Sequence, residues 1–180
     1  DPLRRQRQMC IRDSNMPMRP MKKDGEQVYI VAPSQNGFDI YDLPIKVDDW
    51  IEQTVTEVKK YTDRPIKIRR KVPKKARGSR GFCDTLDNIY CVISLHTMAV
   101  TEVLREGIPV ISMHPGVLKN YSSNKISQIN NLYYPSDTER GKLFNCLTNI
   151  QFTNQELVDG EALETTVSYT HLTLPTKWIV

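Results

Sequence analysis

The sequence predicts an α/β domain: a parallel sheet covered by helices on both faces. Two observations carry this. Four short apolar runs read as buried strands, and helical segments alternate with them in the order β-α-β-α-β-α-β. Short connections of this kind imply right-handed crossovers and parallel pairing. The chain has 180 residues and 39% hydrophobic content, enough for one domain with its own core.

The first strand is Gln27-Val-Tyr-Ile-Val-Ala-Pro-Ser34. It is almost continuously apolar, as a strand buried on both faces should be. Gln35-Asn-Gly37-Phe38 reads as a turn. Asp48-Asp49-Trp50 opens a helix, with carboxylates suited to the positive end of its dipole. Trp50, Ile51, Val55 and Val58 recur every three to four residues and form its apolar face. Tyr61-Thr-Asp-Arg-Pro65 ends it, because proline and its predecessor resist helical geometry.

Ile66-Lys-Ile-Arg-Arg-Lys71 alternates and reads as the second strand, followed by a basic loop from Val72 to Gly81. A short helix is expected around Cys83–Leu86. Asn88-Ile-Tyr-Cys-Val-Ile-Ser94 is the third strand. A helix over 97–106 follows, with Val100, Val103 and Leu104 on its sheet-facing side. Gly107 suits a left-handed C-cap, and Pro109 begins the fourth strand, Pro109-Val-Ile-Ser-Met113. Beyond Met113 the pattern weakens. Ser136-Asp-Thr-Glu139 and Thr153-Asn-Gln-Glu156 match capping boxes, which predicts helices near 137–149 and 154–164.

Residues 15–26 are rich in Met, Pro and Lys, lack a period, and read as a linker or truncated connection. The two ends differ from the middle. Residues 1–14 and 167–180 resemble translated sequencing-adaptor read-through and are set aside as non-native tails, leaving 27–166 as the domain. The tails change the charge argument. The chain holds 25 Lys and Arg against 21 Asp and Glu, net +4. Arg4, Arg5, Arg7, Arg12 and Lys177 lie in the tails, as do Asp1 and Asp13, so the middle holds 20 basic against 19 acidic residues. A near-neutral domain does not read as a nucleic-acid binder. One asymmetry survives: nine basic residues and no acidic one from Arg64 to Arg80. That run suits a solvated loop, and it also follows a strand, where some members can face an anion.

No apolar run approaches the roughly 20 residues of a membrane span. The N-terminus has no apolar core of a signal peptide, so a cytoplasmic protein is expected. Cys83, Cys91 and Cys146 show no metal-ligand spacing, and no metal site or disulfide framework is expected.

In a parallel sheet, ligands bind beyond the carboxyl ends of the strands. Four strand exits collect there: Ser34-Gln35, Arg69–Lys71, Ser94-Leu-His96-Thr97 and Met113-His114-Pro115. They offer hydroxyls, cations and imidazoles, a set suited to an anionic, hydroxylated ligand. Thr97 fits a helix N-cap, or a cap whose hydroxyl also meets a phosphate. Glu102 falls off the apolar face, as a solvated glutamate or as a carboxylate accepting ribose hydroxyls. Arg69, Arg70 and Lys71 fit a solvated strand end or the neutralisation of a diphosphate, with alternation sending Arg69 and Lys71 to one side and Arg70 to the other. His96 and His114 fit proton transfer or loop hydrogen bonds; for His114 the loop role is preferred.

The stretch T-x-x-x-x-E-V-x-x-x-G-I-P-V-I, from Thr97 to Ile111, resembles the C-terminal donor-binding half of GT-B glycosyltransferases. It is most similar to capsule and teichoic-acid type transferases and to uncharacterised phage-encoded relatives. Tyr61–Lys71 and Gln151–Ala162 also look like segments of that phage group. The resemblance implies a Rossmann-like half-domain that binds a nucleotide-diphosphate sugar, with no tightly bound cofactor or metal. It implies ribose binding at Glu102, phosphate binding at Thr97, and Arg69–Lys71 facing the diphosphate. Ser34, Ser94 and His96 complete the expected nucleotide-sugar site. Two departures stand out: Val103 replaces the usual alanine, and Leu95-His96 replaces a small polar pair. An acceptor-binding half would precede residue 27 and often supplies the catalytic base, so this fragment is expected to be inactive alone. Two further readings stay open: a nucleotide-sugar epimerase of the same fold, and a non-catalytic phage or cell-surface assembly protein.

Overall fold

The computed structural model describes residues 18–40, 44–70, 82, 85–95, 97, 99–114, 116–149 and 158–160. The chain divides into two units, Pro17–Arg140 and a second made of Gly141–Val180 with Asp1–Met16. The first unit holds the sheet. Its elements are β1 (Gln27–Val31), α1 (Gln35–Ile40), α2 (Val47–Lys59), β2 (Ile66–Arg69), β3 (Ile89–Ser94), α3 (Ala99–Arg105), β4 (Val110–Ser112) and a 3-10 helix (Ile126–Gln128). The helix α4 (Asp137–Asn149) begins in this unit.

All four strands pair in parallel, in the order β2-β1-β3-β4. This is the α/β parallel sheet the sequence predicts, and it is consistent with a Rossmann-like fold. Val28 and Ile30 of β1, Cys91 and Ile93 of β3, and Ile111 of β4 share one core cluster with Phe38, Trp50, Ile51 and Val58. Alternation turns Tyr29, Val31, Val92 and Val110 to the opposite face. The helix α3 lies against β3 and β4 and buries Val100, Val103 and Leu104, as its sequence spacing predicts.

One local expectation is corrected and two are extended. Gln35–Phe38 forms the start of α1 rather than a turn. Gly37 costs a helix roughly 1 kcal/mol, but Phe38 is fully buried and sits edge-on to Trp50, with ring centroids 6.2 Å apart. Gln35 also donates to Asp39 and accepts from the Val47 amide. In α2 Thr54 joins the expected apolar face: it is buried, its hydroxyl donates to the Trp50 carbonyl at 2.7 Å and so loses its polarity penalty, and Val55 packs half-buried against the core. Finally, residues 116–134 are held by contacts that carry no strong sequence period. Ser123 bridges Ile111, and Ile126, Ile129 and Leu132 enter the same cluster as α2.

The carboxyl end of α3 is secured. Gly107 has φ +77°, and the amides of Gly107 and Ile108 reach back to the carbonyls of Leu104 and Val103. These two bonds make a Schellman motif. The carbonyls of Arg105 and Gly107 accept from the amides of Arg19 and Lys22, so residues 18–26 run along this end of the sheet. Arg140 is fully buried and donates to the Leu104 carbonyl at 2.7 Å and to Asp137. The predicted capping box of α4 is present: the Glu139 carboxylate accepts from the Ser136 amide at 2.8 Å, and the Ser136 hydroxyl accepts from the Glu139 amide at 3.3 Å. In the second unit the described part of α4 buries Leu143, Phe144 and Leu147. The short helix expected around Cys83 and the helix expected over 154–164 lie largely outside the described residues.

Candidate functional site

In the strand order β2-β1-β3-β4 the chain steps from β1 to one side and from β3 to the other. The loops leaving the carboxyl ends of β1 and β3 therefore diverge and leave a crevice, which is where open α/β sheets bind ligands. Ser34 leaves β1 here, and Ser94 and Thr97 leave β3.

Register defines the site more closely. Val31 pairs with both Arg69 and Ser94, and Ser94 pairs with Ser112. Arg69, Val31, Ser94 and Ser112 thus form one row across the last rung of the sheet. Residues in one row of a parallel sheet point to the same face. The row therefore carries a guanidinium at one end and two hydroxyls toward the other.

Arg69 is half-buried, and its guanidinium stacks 4.3 Å from the centre of the Phe82 ring. Stacking fixes its plane while leaving its N–H edge available for an oxyanion. Ser94 is 1% exposed, and among the described residues its hydroxyl has no hydrogen-bond partner. The Ser112 hydroxyl donates to the His114 carbonyl at 3.2 Å. Ser112 was not singled out from the sequence. The signal was there: β3 and β4 both end in Val-Ile-Ser, and the register pairs these residues like with like.

Thr97 is half-buried and stands two residues before α3, with its hydroxyl accepting from the Ala99 amide at 3.4 Å. The helix starts at Ala99 rather than at residue 97. Glu102 lies in the first turn of α3, half-buried and flanked by the buried Thr101 and Val103. Ser34 is half-buried, three residues beyond the end of β1. His114 follows β4, with both β1 and β3 between it and the strand of Arg69. The order of the strands thus gathers Ser34, Ser94 and Thr97 at adjacent exits, with Arg69 one strand away and His114 on the other flank. Lys71 and His96 lie outside the described residues.

The arrangement offers a cation and hydroxyl groups to an oxyanion. Among the described residues no group of three or more His, Cys, Asp and Glu side chains is placed to hold a metal ion. Cys91 lies within the core, where burial pushes its thiol up to about 12, so it is no nucleophile at neutral pH. A surface groove of about 500 Å³ lies elsewhere, at the amino end of β2. Among the described residues no helix is long and apolar enough to cross a membrane. No family model matches the chain, nor does any curated protein or solved structure.

Proposed function

We propose that this domain is the donor-binding half of a GT-B type glycosyltransferase and binds a nucleotide-diphosphate sugar at the carboxyl edge of its sheet. The observation that carries the reading is the row Arg69–Val31–Ser94–Ser112, set beside the divergence of the chain between β1 and β3. A buried hydroxyl without a partner is costly, about 1–3 kcal/mol, unless a ligand or water satisfies it. A phosphate oxygen at Ser94 would do so.

In this reading Arg69 and the Ser94 hydroxyl stabilise the negative charge that grows on the diphosphate as the sugar leaves. Glu102 accepts the ribose hydroxyls, and Thr97 and Ser34 line the approach. The base that activates an acceptor hydroxyl belongs to an acceptor-binding half outside residues 27–166, so transfer needs that half and the domain alone only binds.

Thermal unfolding of the full chain with UDP, CDP and GDP tests the reading. Ligand at 100 times its Kd stabilises by about 2.7 kcal/mol, a rise of roughly 5–10 °C in Tm for a chain of this size. At least one nucleotide should give such a rise, and Glu102→Ala should reduce it. A chain that gains nothing from any of the three is better read as a non-catalytic assembly protein. A gain untouched by Glu102→Ala removes Glu102 from the ribose.

A further inference from the structure

The strand β2 lies last in the sheet order, paired only with β1. In a parallel ladder, alternate residues of a strand turn their main-chain groups to alternate sides. The Arg69 carbonyl accepts from the Ala32 amide, and the Pro65 carbonyl from the Val28 amide. Lys67 and Arg69 therefore face β1 with their backbone groups, and Ile66 and Ile68 turn theirs outward. Among the described residues, no backbone partner meets those outward groups.

The side chains along this edge have a matching pattern. Ile66 and Ile68 share the face of Val28 and Ile30, and Ile68 is 44% exposed. With Val55 they line the groove of about 500 Å³, whose charged margin is Lys59, Asp63 and Arg64. Lys67 and Arg69 occupy the other face. Lys67 is exposed; its ammonium donates to the Thr85 carbonyl at 3.1 Å, lies 5.0 Å from the centre of the Tyr29 ring, and keeps further N–H donors for an anion. Arg70 is already paired with Asp48. The edge is thus apolar on one face, cationic on the other and, among the described residues, open in its backbone.

We propose that the outer edge of β2 takes up an extended peptide of alternating apolar and acidic residues as an added strand. The apolar residues would extend the Ile66–Ile68 face into the groove, and the acidic ones would lie beside Lys67 and Arg69. Main-chain bonds to Ile66 and Ile68 supply affinity, and side-chain alternation supplies specificity. Charge complementarity selects the partner. A second copy of this chain would bring Lys67 and Arg69 against their own kind, and cations on an edge strand discourage such self-pairing. A nucleic acid would meet the cations but could use neither the apolar groove nor the open amides.

The experiment titrates the full-length, isotope-labelled chain with a six-residue peptide alternating Glu and Val, blocked at both ends. Amide hydrogen exchange is read at Ile66, Ile68, Lys67 and Arg69. The expected result is about a ten-fold slowing at Ile66 and Ile68, with little change at Lys67 and Arg69, which are already bonded to β1. The same peptide with Lys in place of Glu should not bind, and Lys67→Glu or Ile68→Glu should weaken the acidic peptide by roughly five-fold or more. The proposal is overturned if the exchange of Ile66 and Ile68 does not change, if the lysine peptide protects them equally, or if a single-stranded oligonucleotide of equal charge gives the same protection.

Discussion

Gly107 offers the sharpest test of how α3 is held. Its φ is +77°, and a Cβ added there would sit 2.0 Å from the Pro20 carbonyl oxygen, 2.8 Å from its carbon and 3.1 Å from the Arg19 oxygen. Two costs follow for Gly107→Ala. Left-handed backbone costs a non-glycine residue about 1–2 kcal/mol. The clash is with backbone, so residues 19–22 must move away. That movement breaks the bonds from the Arg19 amide to Arg105 at 2.9 Å and from the Lys22 amide to Gly107 at 2.6 Å. Each is worth about 0.5–1.5 kcal/mol. The total is about 2–5 kcal/mol, a large share of the roughly 5–15 kcal/mol that holds a domain together. Urea unfolding at constant m-value measures it. Gly107→Asn separates the two costs, because asparagine tolerates the left-handed region but still carries the Cβ. Asparagine should remain well below wild type. If Gly107→Asn unfolds at the wild-type midpoint, the close approach of Pro20 is not what demands glycine. If Gly107→Ala loses less than about 1 kcal/mol, both parts of the reasoning fail.

Three further outcomes are expected. Burial holds the Cys91 thiol up to about 12, against an ordinary 9.0, so the folded chain keeps a proton that the unfolded chain releases. Stability is full below pH 9 and falls as pH rises toward 12, by up to about 1.4 kcal/mol per unit. Urea midpoints at pH 8 and pH 10.5 should show a steeper loss in wild type than in Cys91→Ala; equal slopes contradict it. Ser94→Ala should raise the stability of the unliganded chain by about 1 kcal/mol and shrink any nucleotide-induced Tm shift; a destabilised variant would mean the hydroxyl has a partner. Ser136→Ala removes the hydroxyl that caps α4 and should cost about 0.5–2 kcal/mol, read by the same unfolding assay.

The strands were legible because fully buried parallel strands are written as unbroken apolar runs, and β1, β3 and β4 all are. The helix α2 was legible from its period; only Thr54, which hides its hydroxyl against Trp50, joins the buried face without an apolar signal. The helix α1 was not legible, since Gly37 and six residues give no local signal; it forms because Phe38 finds Trp50. Ile126, Ile129 and Leu132 recur every third residue, a spacing that fits a 3-10 turn and escapes a search for a period of 3.6. The strand exits of the candidate site could be placed from sequence, but the row joining Arg69 to Ser94 and Ser112 needs the register. Strand order and pairing offsets are tertiary facts, set by which loops close and not by any one segment.

The pairings of the sheet also set an order of assembly. Val92 meets Val110 only 18 residues later, with α3 folded between them. Val28 must find Ile66 across 38 residues and Cys91 across 63. Closing the longer loops costs more chain entropy before any contact rewards it. The unit β3-α3-β4 is therefore the natural nucleus, and β1, though central in the finished sheet, docks late. Slowed refolding should follow from lesions in Ile89–Ser112, while lesions in β1 should chiefly hasten unfolding.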